Sequence, residues 1–143
     1  MMNEITYAKE MLSRGGYTLV VCSGGRVFVS EDKGIKPLLG LVKSQDDWSG
    51  AYAADKIVGK AAAMLYTLLG VKAVFAEVLS EKAKEIFEKI GIEFEYNTLT
   101  ENIINRQGTG LCPMEEAVKD TDNAEEALAA IETKIAEMKA EKC

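Results

Sequence analysis

The sequence predicts an α/β fold, a three-layer α/β/α sandwich around a mixed sheet. Three observations predict it. Two β-rich runs flank Ser23-Gly24-Gly25, the signature of an antiparallel hairpin. Helical and β-rich segments then alternate from residue 53 to residue 96, the order that builds right-handed parallel crossovers. The chain has 143 residues, 48% hydrophobic and 28% charged, which suits one soluble domain with one core. The expectation is a single domain over residues 1–143, with an acidic C-terminal helix from about residue 123.

The elements follow in order. Residues 4–13 read as a short helix with Ile5, Ala8 and Leu12 on one face. Residues 17–22 and 27–30 form the hairpin, and Cys22 reads as buried strand packing. A short helix opens near Pro37, because proline suits the first helical turn. Residues 45–50 are polar and read as exposed, with Trp48 folding back onto the body. A long apolar helix is expected from about residue 53 to 69, ended by Gly70. Residues 72–79 read as an interior parallel strand. Ser80 caps a helix over 81–90, with Ala83, Ile86, Phe87 and Ile90 on its apolar face, and Gly91 stops it. Residues 92–96 alternate apolar and acidic, a half-exposed strand near the sheet edge. Residues 98–105 are ambiguous and 106–110 a loop. Residues 113–119 form a short helix, and Asn123 starts the last one, seamed by Leu128, Ile131, Ile135 and Met138.

Composition excludes several classes of function. No apolar run reaches the roughly 18 residues of a membrane span, and the polar first 16 residues lack the apolar stretch of a signal peptide. No membrane partner is expected. The net charge is −6, and no basic stripe interleaves with aromatics, so nucleic acid is not expected as the main partner. Most of that charge, −4, lies from Asp120 onward, on what reads as a solvated helix face. Three scattered cysteines, Cys22, Cys112 and Cys143, read as free thiols in a reducing cytoplasm, Cys143 as incidental. There is no histidine, so neither a Ser-His-Asp nor a Cys-His pair can form within this chain. No metal site and no cofactor are expected. The sequence leaves a homo-oligomer open.

Two segments have residues suited to chemistry. On the expected helix from residue 53, Lys56, Lys60 and Ala63 share one side, and Asp55 lies beside Gly59 and Ala62. Two lysines near a helix start oppose the dipole, which suits the holding of an anion where backbone N–H groups also point. Alternatively, both ammoniums reach solvent and Asp55 caps the helix. The second segment is 105–115. Gly108, Thr109 and Gly110 offer backbone N–H groups to an anion, Arg106 offers a bidentate contact, and Cys112 sits at the N-cap before Pro113. A thiol there gains thiolate character. Glu115 falls at the reach-back position of a capping box. The plain alternative is a tight turn into a capped helix, with Cys112 a small buried residue.

The blocks ADKIVGKAAAML (54–65), AVFAEV (73–78) and INRQGTGLCPMEEAV (104–118) resemble a domain-of-unknown-function family, number 1893, over roughly residues 5–136. That family is placed in the cytidine-deaminase-like superfamily. The resemblance implies the three-layer deaminase-like fold. It also exposes a departure. Zinc deaminases place H-x-E or C-x-E at the central helix and P-C-x-x-C at the next. Here the corresponding stretches read Ala54-Asp55-Lys56 and Ser80-Glu81-Lys82-Ala83. The expectation is therefore a zinc-free deaminase-fold protein that binds a small anionic or nucleotide-like molecule in the former active-site cleft. Lys56, Lys60, Arg106, Gly108, Thr109, Gly110 and Glu115 would line it, and Asp55 would orient a polar group. Two alternatives stand beside it. One is an enzyme using Cys112 as nucleophile or redox thiol, with Lys60 or Asp55 as proton carrier. The other is an interaction module.

Overall fold

The computed structural model describes residues 3–141, so the reading of Cys143 lies outside the described residues. Asn3 caps α1 (Glu4–Gly15), its side chain accepting from the Thr6 amide at 2.9 Å. The hairpin follows as β1 (Leu19–Ser23) and β2 (Arg26–Ser30). Gly24 and Gly25 form its two-residue turn with φ of 54° and 89°, the left-handed region that such a turn demands of both residues. Then come α2 (Lys36–Lys43), β3 (Tyr52–Val58), α3 (Lys60–Leu69), β4 (Ala73–Ser80), α4 (Glu81–Ile90), β5 (Glu93–Thr100), α5 (Pro113–Val118) and α6 (Ala124–Glu141).

The strands form one mixed sheet in the order β2-β1-β3-β4-β5. β1 runs antiparallel to β2 and β3, while β3, β4 and β5 are parallel. Helices cover both faces. On one side α1 buries Ala8 and Leu12 against Val20, Cys22, Ala54 and Phe75. On the other lies the main core, where Leu38 of α2, Leu65 and Tyr66 of α3 and Phe87 of α4 meet Val21, Val58, Val74 and Leu79. Ile131 of the predicted seam is buried in that core, with Leu128 and Ile135 packed against it, and Ala127, outside the predicted seam, is buried there too. Trp48 folds onto it with the Arg26 guanidinium 4.2 Å above its ring.

One expected element is corrected. The long helix from residue 53 is a strand followed by a shorter helix: residues 52–58 are β3, and α3 begins only at Lys60. β3 is the middle strand of the sheet, with Ala53 packed into one core and Ala54 into the other. A strand buried on both faces shows little alternation, and its alanines read as helix formers. The i, i+4, i+7 face joining Lys56, Lys60 and Ala63 therefore does not exist. Ile90 is also corrected. It is 48% exposed at the end of α4, while Ala83 and Phe87 are fully buried. The Ser80 cap holds, its hydroxyl accepting from the Ala83 amide at 3.1 Å.

The parallel strands share an irregularity. Their register passes from the Asp55–Ala76–Tyr96 row to the Ile57–Val78–Thr98 row without pairing Lys56, Glu77 and Asn97. Beyond this row the strands turn over. Ala76 and Leu79, three residues apart, face the same core, and Ile57 is exposed where simple alternation would bury it.

Candidate functional site

The carboxyl ends of parallel strands are where open α/β sheets place ligands. Here β3 ends at Val58 and Gly59 leads directly into α3. Gly59 is the N-cap of α3 and has no side chain to satisfy the helix's first amides. Glu115, 55 residues further along the chain, does so instead. Its Oε1 accepts from the Lys60 amide at 2.7 Å and its Oε2 from the Ala61 amide at 2.8 Å. Glu115 thus leaves the reach-back role of a capping box on its own helix and caps α3 from outside. A negative charge at a helix N-terminus is favourable, and two charge-assisted bonds fix its place.

Gly59 is what admits that carboxylate. Its φ of −105° and ψ of −170° are open to any residue, so its role is close approach. A Cβ at this position would collide with the carboxylate of Glu115 and lie 2.8 Å from Ile103 Cγ1. The two segments singled out in the sequence therefore do meet, through Glu115 and Gly59. Lys60, only 8% exposed, donates from Nζ to the Lys119 carbonyl at 3.2 Å. It ties the end of α5 to the start of α3.

Asp55 and Lys56 lie on β3 and point apart. Asp55 faces α3 and accepts from the Tyr66 hydroxyl at 2.7 Å. Burial pushes its carboxyl up to about 7, against the opposing pull of that hydroxyl and of the Ile57 and Lys56 amides. The same burial, and the neighbouring Asp55 charge, hold the Tyr66 hydroxyl well above the ordinary tyrosine range. An acid that titrates near neutrality beside a phenol can hold or release a proton under working conditions. Lys56 instead pairs with Glu77 of β4 at 3.2 Å, across the row that the ladder skips.

The loop before α5 is closed on itself. Asn105 accepts from the Thr109 amide through Oδ1 at 3.0 Å, and its carbonyl accepts from the Gly108 amide at 3.1 Å. Its own amide donates to the Gly110 carbonyl at 2.8 Å. The Gly108 and Thr109 N–H groups are thus engaged with Asn105, and Arg106 is exposed at the tip. Cys112 is the N-cap of α5, half-buried, and makes no side-chain capping bond. Cys22 is buried, and desolvation, with a smaller push from Glu4, raises its thiol to about 11. In a Cys143→Ser protein at pH 8, a thiol reagent is expected to modify Cys112 alone and to reach Cys22 only on unfolding. Mass spectrometry of the native protein checks this, and prompt double modification would contradict the packing around Cys22.

Sequence reading missed Tyr66, Ile103, the role of Asn105 within the second segment and the function of Gly59. Only two of these left a local signal. Ile57-Val58 before Gly59 is a β-branched strand end, and Asn105 lies four residues before Thr109 across a glycine turn. Elsewhere, a concavity of about 560 Å³ opens at the amino ends of the parallel strands, between Ile5, Tyr52, Lys72 and Glu93. It lies at the opposite end of the strands from the capped helix.

Taken together, these features define a mixed α/β sandwich whose parallel strands end at a central helix capped by a carboxylate from another part of the chain. Residues 7–135 match the family model described as Domain of unknown function (DUF1893), and the chain belongs to that family. It is similar to a DUF1893 family protein from Thermotoga maritima known from its crystal structure. The two are 29% identical over 94% of this chain and 91% of that one, with a TM-score of 0.85. No curated protein matches the chain.

Proposed function

We propose that this protein is a zinc-free member of the cytidine-deaminase-like group that binds a small anionic or nucleotide-like molecule at the carboxyl ends of its parallel strands. The observation that carries this reading is the Glu115 carboxylate held by the first two amides of α3. Those amides take a carboxylate in bidentate fashion, and a phosphate or substrate carboxylate needs the same donors. The ligand anion takes the place of Glu115, Lys60 supplies positive charge beside it, and Asp55 with Tyr66 supplies a polar pair on the adjoining strand and helix. The zinc-free part rests on residue types. The start of α3 reads Gly59-Lys60-Ala61 and that of α4 reads Glu81-Lys82-Ala83, and neither stretch contains a Cys or His ligand.

The test is a thermal-shift panel of inorganic phosphate, nucleoside monophosphates and sugar phosphates on the wild type and on Glu115→Gln. A ligand that binds only the native state stabilises it by RT ln(1 + [L]/Kd), about 2.7 kcal/mol at a hundredfold excess over Kd. The neutral amide is a weaker occupant of the helix end, so the variant is expected to start from a lower Tm and to show the larger ligand-induced rise. Absence of any shift at millimolar concentration in both proteins would overturn the proposal.

A further inference from the structure

The sheet ends at β5, and among the described residues no strand lies beyond it. This edge is eight residues long, and all but Phe94 and Thr100 are exposed. It has no proline and no lysine in Glu93–Thr100, its charges being Glu93 and Glu95 in the amino-terminal half alone. It also shows apolar surface, with Tyr96 38% and Leu99 37% exposed. From these features we infer that β5 pairs antiparallel with β5 of a second copy of this chain, joining two sheets into one.

The side chains select a single register. Residues paired across neighbouring strands share a face. Glu95 lies beside Phe75 on the α1 side, where it pairs with Lys9 at 2.8 Å. Phe94 and Tyr96 stack on the other side, next to Phe87. After the break at Asn97, Leu99 lies beside Leu79 and so faces the main core side. Thr98 and Thr100 therefore face the α1 side. Opposed residues in an antiparallel pair must share a face. With the two-fold axis between Tyr96 and Asn97, the three opposed pairs outside the axis satisfy this. Phe94 meets Leu99 of the second copy, Glu95 meets Thr98, and Glu93 meets Thr100. The skipped residue of each copy, Asn97, lies next to the axis. No like charges oppose one another. Moving the axis onto Glu95 would set two carboxylates face to face, and moving it onto Tyr96 would set Glu93 against Leu99, on opposite faces.

Backbone direction agrees. The Glu93 amide donates inward to the Lys72 carbonyl at 3.1 Å. Residues on its face turn their amides toward β4, and those on the other face turn theirs outward. Phe94 and Leu99 thus both present outward amides, as a hydrogen-bonded antiparallel pair requires.

Substitutions at Thr98 test the register through the facing Glu95. Sedimentation equilibrium on the full chain should show a wild-type dimer. Thr98→Glu should weaken it roughly tenfold and Thr98→Arg tighten it by a similar factor, since the symmetric interface contains each contact twice. Circular dichroism should find both variants folded. Thr98→Arg acts by gain, so it decides the matter even if Thr98→Glu fails to fold. A wild type that stays monomeric at high micromolar concentration would overturn the inference. So would a dimer that ignores both charges, which would place the interface elsewhere.

Discussion

Gly59→Ala is expected to destabilise the protein by about 3 kcal/mol, lowering Tm by roughly 10 °C. The change adds one methyl group on a backbone that tolerates it, so the loss comes from displacement. The new Cβ occupies the space of the Glu115 carboxylate and lies 2.8 Å from Ile103 Cγ1. Glu115 must withdraw, and the Lys60 and Ala61 amides lose their acceptor. Hydrogen bonds to a charged group contribute about 1.5–3 kcal/mol each, and water recovers part of that at a helix end. Glu115→Ala alone should cost about 2 kcal/mol for the same reason. In that background Gly59→Ala should cost under about 1 kcal/mol, because its main obstacle is gone. A double-mutant cycle by urea denaturation measures this coupling. Additive effects would mean that Gly59 and Glu115 act independently, and the account of a cap delivered through a glycine would fail.

The contrast between what the sequence disclosed and what it concealed follows from the range of the interactions. The hairpin was legible because Gly24 and Gly25 answer a local demand for positive φ. The start and end of α4 were legible because Ser80 and Gly91 act within a turn of their own helix. The family was legible as well, because the blocks at 54–65 and 104–118 lie inside the matched region. β3 was hidden because a central strand is shielded on both faces, so the period-2 signal that betrays a strand is absent. Losing β3 displaced the start of the central helix by seven residues, from 53 to 60, and carried Asp55 and Lys56 onto the wrong element. Glu115 illustrates a second kind of concealment. Its spacing from Pro113 fits a local capping box, yet its partners are 54 and 55 residues away. Spacing rules describe what a side chain can reach on its own helix. They are silent on a neighbour brought up by the sheet.

The same distinction separates the candidate site into two parts. Residues that act through the backbone, such as Gly59, Asn105 and Glu115, shape the end of α3 and the loop beside it. The residue whose titration is moved toward neutrality, Asp55, lies on β3 where the parallel strands turn over, bonded to Tyr66 of α3. Asp55 accepts from the Tyr66 hydroxyl at 2.7 Å, while the Lys56 amide donates to the Thr18 carbonyl at 3.2 Å. Asp55 and Ile57 flank the row that the ladder skips, at Lys56. The acid and the irregularity are thus neighbours: Asp55 is the last residue paired before the row that the ladder skips.

That arrangement has a consequence for pH. Asp55 has an ordinary unfolded value of 3.8, and burial raises it to about 7 in the folded protein. Between these values the folded chain keeps a proton that the unfolded chain has lost. Stability therefore falls as pH rises through this window and is level above it. At about 1.4 kcal/mol per pH unit, the full window is worth about 4 kcal/mol. Asp47 and Glu116, whose carboxyls are held below their usual range by hydrogen bonds, contribute slopes of the opposite sign at lower pH. The contribution of Asp55 is isolated by difference. Asp55→Asn keeps an acceptor for the Tyr66 hydroxyl and removes the charge. Measured by urea denaturation, the variant is expected to gain about 3 kcal/mol on the wild type between pH 4 and pH 8, most of it between pH 5 and 7. Parallel stability curves for the two proteins across that range would show that Asp55 is ionised throughout and that its burial is relieved by water. A gap that opens with rising pH would show that the fold retains a proton on this strand at a measurable expense in stability. The carboxyl beside Tyr66 would then be available as a proton donor or acceptor near neutrality.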